Sequence, residues 1–276
     1  MTSQIKSEQD KPALGKSDLI KAEVLNHCQV LTINRPESLN SLNKETVEQL
    51  LGCLEQVRSN HQIRTVIITG AGRGFCAGQD LSEVVLDSTV ASQVESIVLN
   101  RCNKIIESIC SLPVPVIAAV NGTAAGAGAN LALACDFVIA AETASFIQAF
   151  VKIGLIPDTG GSFFLPRLVG LANAKRLALL GEKISAEQAL AIGLIYKMEQ
   201  PERVLGSCLQ LADELFRLPR QALALTKQAL NCSLESTLQN QLATEATLQR
   251  QAASTADFIE GVEAFRSKRT PTFKGK

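Results

Sequence analysis

The sequence predicts a mixed α/β fold that ends in a helical region. Short apolar or β-branched runs alternate with amphipathic stretches from residue 19 onward, and beyond residue 167 the periodicity is almost wholly helical. With 276 residues, 46% of them hydrophobic, the chain can bury one large core. We therefore expect a disordered polar tail at residues 1–18, an α/β core at residues 19–203 and a helical region at residues 204–276.

Runs of apolar or β-branched residues predict strands at residues 22–24, 30–33, 65–69, 115–120 and 137–140. The run TVIIT, residues 65–69, is typical of a strand that is buried on both faces, and it stops at Gly70. Asn26 and His27 predict the turn between the first two strands. Pro36 ends the second strand because proline cannot donate to a strand ladder.

Amphipathic stretches predict the helices. Apolar residues between positions 47 and 57 recur at helical spacing. Ser185, followed three residues later by Gln188, forms a capping box at a helix start, and Gly193 marks the end of that helix. Further helices are predicted at about residues 94–110, 129–134, 207–217, 221–232 and 237–251. The weakly patterned stretch before them, residues 82–93, predicts a loop.

The charge composition excludes two classes of partner. Lys and Arg together number 27, as do Asp and Glu, so there is no basic excess to attract nucleic acid or an anionic membrane surface. The longest apolar runs, such as residues 114–120, are too short to span a bilayer, and the polar N-terminus lacks a signal sequence. We expect a cytoplasmic protein with no nucleic-acid or membrane partner.

The eight cysteines show no C-x-x-C spacing and lie mostly inside apolar segments. Without a secretory signal, such cysteines are predicted to be free buried thiols rather than disulfides. Only His27 and His61 could add imidazole ligands, so we expect no metal site.

Three glycine-rich passages carry the candidate chemistry. The first, GAGRGFCAGQDL at residues 70–81, follows a predicted strand. Its G-x-G-x-G spacing differs from the G-x-G-x-x-G of dinucleotide-binding loops, and no helix is predicted directly after it, which disfavours dinucleotide binding. Either these glycines form a turn, or their bare backbone N–H groups approach a ligand closely.

The second passage, NGTAAGAGAN at residues 121–130, joins a buried strand to a helix. Its small residues could mean tight packing of the helix on the strand. The unpaired N–H groups of a helix's first turn also point into such a connection. Because two such passages follow two successive core strands, one N–H from each could bind an oxyanion.

The third passage, GLIPDTGG at residues 154–161, contains Asp158 beside an apolar stretch. An aspartate that follows a proline and precedes glycines is typical of a helix N-cap. A carboxylate among apolar neighbours could instead be a base with a raised pKa. Both interpretations stay open from the residues alone.

At four motifs the sequence resembles the crotonase (enoyl-CoA hydratase/isomerase) family, over about residues 20–276. The motifs are NRPESLN at residues 34–40, FCAGQDL at 75–81, NGTAAGAGANLALACD at 121–136 and GLIPDTGG at 154–161. The resemblance implies a crotonase-like spiral of ββα units with a C-terminal helical trimerisation region, and a homotrimer or a dimer of trimers. It also implies an acyl-CoA substrate, with no cofactor besides the coenzyme A of that substrate.

The resemblance also implies roles for residues. The oxyanion hole would use the backbone N–H groups of Gln79 and Ala127, and Asp158 stands where some isomerases of the family place an acid/base aspartate. Lys268 would meet CoA phosphates of a neighbouring subunit. The other residues that would bind the substrate are Ser38, Leu39, Ala77, Asp80, Leu81 and Gly126.

Two departures from the family pattern bear on the reaction. Family members that hydrate enoyl-CoA carry two glutamates, and the corresponding positions here are Asn130 and Phe150. Neither side chain exchanges protons at neutral pH, which disfavours hydration. The segments FCAGQDL and GLIPD most resemble the family's phenylacetate-pathway isomerases, which rearrange a ring epoxide and also move enoyl-CoA double bonds.

We therefore expect an acyl-CoA isomerase in which Asp158 moves a proton along an enolate. Three alternatives stay open: a hydratase-like enzyme, an aryl-CoA dehalogenase-type enzyme with an aspartate nucleophile, and a non-catalytic acyl-CoA binder. The related dehalogenases use a tryptophan and a histidine base, and this chain has no tryptophan. The acyl pocket is expected to come from residues 82–100 and 146–150, whose apolar side chains include Val84, Val85, Leu86, Phe146 and Phe150.

Overall fold

The computed structural model of the chain describes residues 18–275. The disordered tail predicted at residues 1–18 lies outside this range, except for its last residue. Within the described part, no helix combines the length and the apolar composition that a membrane span needs.

Ten strands form two sheets in residues 18–275. In chain order they are β1 (Ile20–Leu25), β2 (Cys28–Ile33), β3 (Thr65–Gly70), β4 (Gly74–Cys76), β5 (Val116–Val120), β6 (Thr123–Ala125), β7 (Phe137–Ala141), β8 (Ser145–Ile147), β9 (Lys183–Ser185) and β10 (Lys197–Glu199). The larger sheet has the order β1-β2-β3-β5-β7-β10, and the smaller sheet has the order β4-β6-β8-β9. Within the larger sheet only β1 is antiparallel to its neighbour.

Helices connect the strands and cover the sheets. They are α1 (Lys44–Ser59), α2 (Val90–Ile97), α3 (Asn103–Ser111), α4 (Ala127–Leu133), α5 (Gly161–Leu180), α6 (Ala186–Ala191), α7 (Val204–Phe216), α8 (Arg220–Ser233), α9 (Leu238–Ala253) and α10 (Ala256–Arg266). A π-helical segment, Val98–Cys102, joins α2 to α3 without a break. Such segments occur frequently at functional sites.

A strand of the larger sheet is followed three times by a short strand of the smaller sheet and then by a helix. β3 leads into β4, β5 into β6 and β7 into β8, and the successive strands pair in parallel within each sheet. The chain therefore winds as a spiral of ββα units. This topology confirms the predicted fold, which keeps consecutive strands adjacent in each sheet.

The core is filled with aliphatic side chains from the larger sheet and the helices around it. Ile67 of β3 and Ile117 of β5 are paired across the sheet, and both are fully buried. The apolar residues of α1 also face this core, with Leu50 and Leu54 buried one turn apart. Removal of this apolar surface from water is the main favourable contribution to folding.

All five predicted strands are present, and so are the predicted helices. The sequence does not predict the short strands of the smaller sheet, because three residues are too few to show a period. One of them, β6, lies inside the passage at residues 121–130, which is therefore more than a simple connection. α2 begins at Val90, inside the segment predicted as a loop.

The helices beyond residue 203 pack in two different ways. α7 lies in the main core, where Cys208 and Leu215 are buried. The following three helices bury few apolar side chains: Leu225 in α8, Leu248 in α9 and Ala264 in α10. Packing therefore joins α7 to the α/β core and leaves α8, α9 and α10 largely exposed.

The cysteines are free thiols, but the prediction that they are buried was wrong for Cys53, Cys110 and Cys232. All eight lie in the described range, none is paired in a disulfide there, and five are buried. Burial raises the pKa of Cys28, Cys76 and Cys208 to about 12. These thiols are therefore neutral and unreactive near neutral pH.

A largely buried lysine side chain helps to attach α8 to the core. The Nζ atom of Lys227 lies 2.7 Å from Asp136 Oδ2 and 2.9 Å from the carbonyl oxygen of Ile109. The same Asp136 oxygen accepts the N–H of Val116, the first residue of β5, at 2.7 Å. The Lys227 side chain is only 9% exposed, so these partners, more than water, stabilise its ammonium group.

We expect Lys227→Ala to lower the free energy of unfolding by about 2 kcal/mol, because the Asp136 carboxylate and a buried carbonyl lose their cation. Urea unfolding at fixed protein concentration measures the change. Lys175→Ala removes an exposed lysine of α5 and serves as the control, with an expected change below about 0.5 kcal/mol. Equal stability of the two variants would contradict the anchoring role of Lys227.

Candidate active site

One cavity brings the three glycine-rich passages together. It encloses about 190 Å³, and its wall is mostly apolar. The wall contains Ala77, Gly78, Gln79 and Leu81 from the first passage, Gly126 and Ala127 from the second, and Leu155 and Asp158 from the third. Passages that are far apart in the sequence thus meet in one concave site of the kind that binds small ligands.

The first passage continues as strand β4 instead of entering a helix, which excludes a dinucleotide-binding loop. Beyond β4, Leu42 N donates to Gly78 O at 2.7 Å, and Asp80 N donates to Leu42 O at 3.0 Å. Both bonds lie on the same side of this extended segment. Because N–H groups alternate sides along a strand, the N–H of Gln79 points away from residue 42.

The second passage presents the start of a helix. Ala127 is the first residue of α4, and an N–H group at that position has no acceptor within its own helix. Gly126 precedes it with φ 52° and ψ −125°, a conformation that favours glycine. The N–H of Gly126 donates to Ile147 O at 2.8 Å. Of the two residues that this passage places on the cavity wall, Ala127 is therefore the one whose N–H has no acceptor among the described residues.

These two passages are in direct contact through glycines. A Cβ atom on Gly78 would lie 2.8 Å from Ala125 O and 3.1 Å from Ala127 N. A Cβ atom on Gly128 would overlap Cys76 O in the same way. Only glycines let the two backbones approach so closely, and the approach sets N–H groups from both passages on adjoining parts of one wall.

Asp158 lies on the cavity wall and does not cap a helix. α5 begins at Gly161, its N-cap is Gly160, and no side chain bonds to this helix start. The helix-cap interpretation of Asp158 is therefore wrong. Its Oδ1 atom accepts a hydrogen bond from Thr159 Oγ1 at 2.7 Å. Burial raises the pKa of Asp158 above its ordinary value, and the Thr159 bond opposes that rise.

Asn130 and Phe150 have structural roles, and neither side chain can act as a general acid or base. Asn130 is fully buried, and its Nδ2 atom donates to Asp158 O at 2.8 Å while its Oδ1 atom accepts from Gln148 Nε2 at 2.8 Å. Asn130 thus fastens the Asp158 segment to α4. Phe150 adds apolar surface to the cavity wall beside Gly126. Within residues 18–275, Asp158 is the only carboxylate on that wall.

Four of the predicted substrate contacts do not line this cavity: Ser38, Leu39, Asp80 and Lys268. The Asp80 carboxylate is engaged elsewhere, because it accepts from Ser82 N at 3.1 Å and pairs with Arg35 at 2.8 Å. The hydrogen bonds from Ser82, and then the one from Arg35, lower the pKa of Asp80. The Asp80 side chain therefore has a structural role in this chain, and its contact with the substrate stays a prediction.

Leu39 bonds to the first passage, whereas Ser38 bonds within its own turn, and the contacts of both with the substrate stay predictions. Leu39 O accepts the N–H of Ala77 at 3.0 Å, and Ser38 Oγ donates to Arg35 O at 3.2 Å. Lys268 is exposed beyond the end of α10. Its expected partner is a neighbouring subunit, so its role stays a prediction.

The apolar side of the cavity comes largely from α2 and the segment that continues it. Of the side chains predicted for the acyl pocket, Val84 and Phe150 line the cavity. The predictions for the other three were wrong, because Val85 and Leu86 are exposed and Phe146 is buried in the core. The segments predicted for this pocket, residues 82–100 and 146–150, also supply Val94, Ile97, Val98 and Ala149. The lining residues that the sequence analysis missed are Cys102, Ile153 and Leu155, which lie outside those segments.

Glu83 links the first passage to two helices. Its Oε2 atom accepts from Gln79 Nε2 at 3.2 Å and from Arg101 Nη1 at 2.6 Å, and its Oε1 atom accepts from Lys44 N at 3.0 Å. The Glu83 and Arg101 side chains are partly buried, which strengthens the ion pair between them. This network holds Gln79 against α1 and the π-helical segment, and the sequence gives no local signal of it.

Comparison with known proteins agrees with this geometry. The chain matches the family model described as enoyl-CoA hydratase/isomerase over residues 23–276. It is 48% identical to the 1,2-epoxyphenylacetyl-CoA isomerase of Escherichia coli (strain K12), over 94% of this chain and 99% of that protein. It is 40% identical to the 2,3-dehydroadipyl-CoA hydratase of the same strain, over 90% of this chain and 95% of that protein.

The fold also matches that of a solved structure. The crystal structure of an enoyl-CoA hydratase from Bacillus anthracis superposes with a TM-score of 0.88 at 36% identity, covering 93% of this chain and 99% of that chain. Motifs, topology and family match agree over almost the whole described length. The chain therefore belongs to the crotonase family of enoyl-CoA hydratases and isomerases.

Proposed function

We propose that this crotonase-family enzyme is an acyl-CoA isomerase that shifts a double bond through an enolate intermediate. One observation carries the proposal: the cavity wall that holds the backbones of Gln79 and Ala127 also holds the single carboxylate of Asp158. Two hydrogen-bond donors and one base are the groups that a proton shift beside a carbonyl needs. The apolar remainder of the wall suits an acyl chain.

The proposed mechanism starts at the thioester carbonyl. The neighbouring C–H is too weakly acidic for a carboxylate to deprotonate unaided. The N–H groups of Gln79 and Ala127 would stabilise the enolate oxygen, and a donor of this kind contributes about 3–4 kcal/mol. Asp158 takes a proton from one carbon and returns it to another, which moves the double bond and restores the carboxylate. We propose that the coenzyme A of the substrate is the one cofactor involved.

The surroundings of Asp158 support its role as a base. Burial raises the pKa of this carboxylate, and a base with a higher pKa accepts a carbon-bound proton more readily. The side chains of Ile97, Val98 and Phe150 form apolar wall around the reacting carbons, which favours exclusion of water from the enolate.

Hydration is the rival reaction within the family. It needs polar groups that hold and activate a water molecule, and the two corresponding positions hold Asn130 and Phe150. Both polar atoms of the Asn130 side chain are already bonded, to Asp158 O and Gln148 Nε2. Phe150 offers no polar atom. These contacts support isomerisation over hydration.

A second candidate substrate is a ring-1,2-epoxide of phenylacetyl-CoA. The observation in its favour is the 48% identity to an enzyme named 1,2-epoxyphenylacetyl-CoA isomerase, together with the apolar wall beside Phe150. Mass spectrometry of products from a substrate panel distinguishes the candidates. The panel should contain straight-chain enoyl-CoA thioesters and the phenylacetyl-derived epoxide. Addition of water to every enoyl-CoA, without isomerisation, would reject the proposed function.

Two further alternatives lack support at the site. A dehalogenase-type mechanism would use a histidine base, but neither histidine lines the described cavity, and His27 instead stacks on Phe216 with ring centroids 4.0 Å apart. A non-catalytic binder would leave the substrate unchanged. Incubation of an enoyl-CoA, followed by NMR of the acyl chain, tests for this, because an isomerase changes the position of the double bond and a binder does not.

We also propose that the enzyme forms a homotrimer or a dimer of trimers in the cytoplasm. Several large apolar side chains of the last three helices are exposed in the single chain: Leu230, Leu238, Leu242, Phe258, Ile259 and Phe265. Exposed apolar surface of this extent supports burial against another subunit. The unpaired cysteines support a reducing compartment. In such an assembly Lys268 could reach CoA phosphates bound to a neighbouring subunit.

We expect Asp158→Asn to lower kcat for isomerisation at least about 10²-fold, because the amide keeps the shape of the side chain and removes the base. Acyl-CoA binding, measured by calorimetry, should remain. Asp213→Asn removes an exposed carboxylate of α7 and should keep full activity. Turnover by the Asp158 variant at the wild-type rate would exclude this residue as the base.

The pH dependence follows from the same carboxylate. Only ionised Asp158 can accept a proton, so kcat/KM should fall as the pH drops through the pKa of Asp158. Because burial raises this pKa, the fall should begin at a higher pH than for an exposed aspartate. A pH–rate profile measures it, and a rate that stays constant down to the range of an ordinary aspartate would contradict the assignment.

Gly78→Ala should lower kcat/KM about 10²-fold or more, because the added Cβ atom would press on Ala125 O and Ala127 N and displace an oxyanion donor. The positive φ of 94° at Gly78 adds strain to the variant. Gly52→Ala is the control, since a Cβ atom there has nothing within 4 Å. Unchanged turnover of a folded Gly78→Ala protein would argue against the two-donor site.

A further inference from the structure

We propose that Thr159 is a positioning residue that holds the Asp158 carboxylate in the orientation needed for proton transfer. The proposal deepens the isomerase function proposed above and rests on it. Three features of Thr159 support it: the conformation of its backbone, the burial of its side chain and a short hydrogen bond to the carboxylate.

The backbone of Thr159 is strained. Its φ is 52°, in the left-handed region that glycine adopts at no cost and β-branched residues rarely enter. The next residue, Gly160, also has a positive φ, 74°. Glycine thus occupies the second left-handed position of this turn, whereas threonine occupies the first. Strained residues of this kind cluster at functional sites, and the hydroxyl of Thr159 is the polar group that a glycine at this position would lack.

That hydroxyl faces the carboxylate. Thr159 is 2% exposed, and its Oγ1 atom donates to Asp158 Oδ1 at 2.7 Å. A hydrogen bond to an ionised acceptor is stronger than one between neutral groups. Among the described residues, no other side chain bonds to this carboxylate. Thr159 is therefore the side chain that sets the direction in which the carboxylate faces.

The main chain of Asp158 is fixed separately. Its carbonyl oxygen accepts from Asn130 Nδ2 at 2.8 Å and from Gly161 N at 2.8 Å. With the backbone held on both sides, rotation of the side chain is the remaining freedom of the base, and Thr159 restricts it. A base that takes a proton from one carbon and returns it to another must be well placed for both steps.

Few charged groups surround this pair. Cys102 on the π-helical segment is the titratable neighbour, and burial, followed by the charge of Asp158, raises the pKa of its thiol to about 11, so it stays neutral. The adjacent Arg101 is paired with Glu83. The hydrogen bond from the Thr159 hydroxyl lowers the pKa of Asp158 and so opposes the effect of burial. Removal of this hydroxyl should therefore raise that pKa further.

Three variants of the full chain test the proposal. Thr159→Val removes the hydroxyl and keeps the branched shape, Thr159→Ser keeps the hydroxyl, and Thr159→Gly removes the hydroxyl together with the strain. The pKa of Asp158 is followed directly by ¹³C NMR titration of its carboxyl carbon, assigned with the Asp158→Asn variant. The pH profile of kcat/KM for an enoyl-CoA is measured in parallel.

We expect the Val and Gly variants to raise the pKa of Asp158, to move the acid limb of the profile to higher pH and to lower the limiting kcat/KM about tenfold. The Ser variant should stay close to the wild type in all three. Thermal melting of each variant, followed by circular dichroism, separates a catalytic loss from a loss of folding. An unchanged pKa and rate in both the Val and Gly variants would overturn the proposal.

The two readouts keep the failure of this inference distinct from the failure of the proposed function. Isomerisation by the wild type, with an unmoved Asp158 pKa and full activity in the Val and Gly variants, overturns the role of Thr159 alone. A wild type that isomerises no enoyl-CoA overturns the proposed function and the positioning role with it, whichever way the pKa of Asp158 moves.

Discussion

The close contact between the backbone at Gly78 and the segment at residues 125–127 is the constraint on which the site depends. A side chain at position 78 would lie 2.8 Å from Ala125 O and 3.1 Å from Ala127 N, so glycine is required for the approach. The approach puts the backbones of Gln79 and Ala127 on one cavity wall. Donors that are fixed by sheet and helix geometry need no reorganisation when charge develops on an oxygen, which is why such sites stabilise enolates well.

The ββα spiral produces this contact. β3 and β5 are neighbours in the larger sheet, and β4 and β6, which follow them in the chain, are neighbours in the smaller sheet. Each short strand therefore delivers the residues after it to the same place. Backbone atoms make the contact at Gly78, and the side chains at positions 130, 150 and 158 take no part in it. Changes at those positions can alter the reaction while the paired N–H groups persist, as is common for sites built on one fold.

The sequence predicts the long strands and helices because burial and helical spacing leave regular signals, as in TVIIT at residues 65–69. It does not predict strands of three residues such as β4, whose pairing is decided by tertiary contacts. At the site, the glycine-rich passages and Asp158 are visible in the sequence. The ion pair of Asp80 with Arg35 and the network around Glu83 are not, because these bonds join residues far apart in the chain and leave no periodic trace.

The central claim is that two peptide N–H groups hold the thioester oxygen while one carboxylate faces the neighbouring carbons. A crystal structure of the enzyme with a saturated, unreactive acyl-CoA tests it most directly. The account predicts the thioester oxygen at about 2.7–3.1 Å from the nitrogen atoms of both Gln79 and Ala127, with the Asp158 carboxylate over the adjoining carbons of the acyl chain. A thioester oxygen bound elsewhere, or an Asp158 side chain turned out of the cavity, would contradict it.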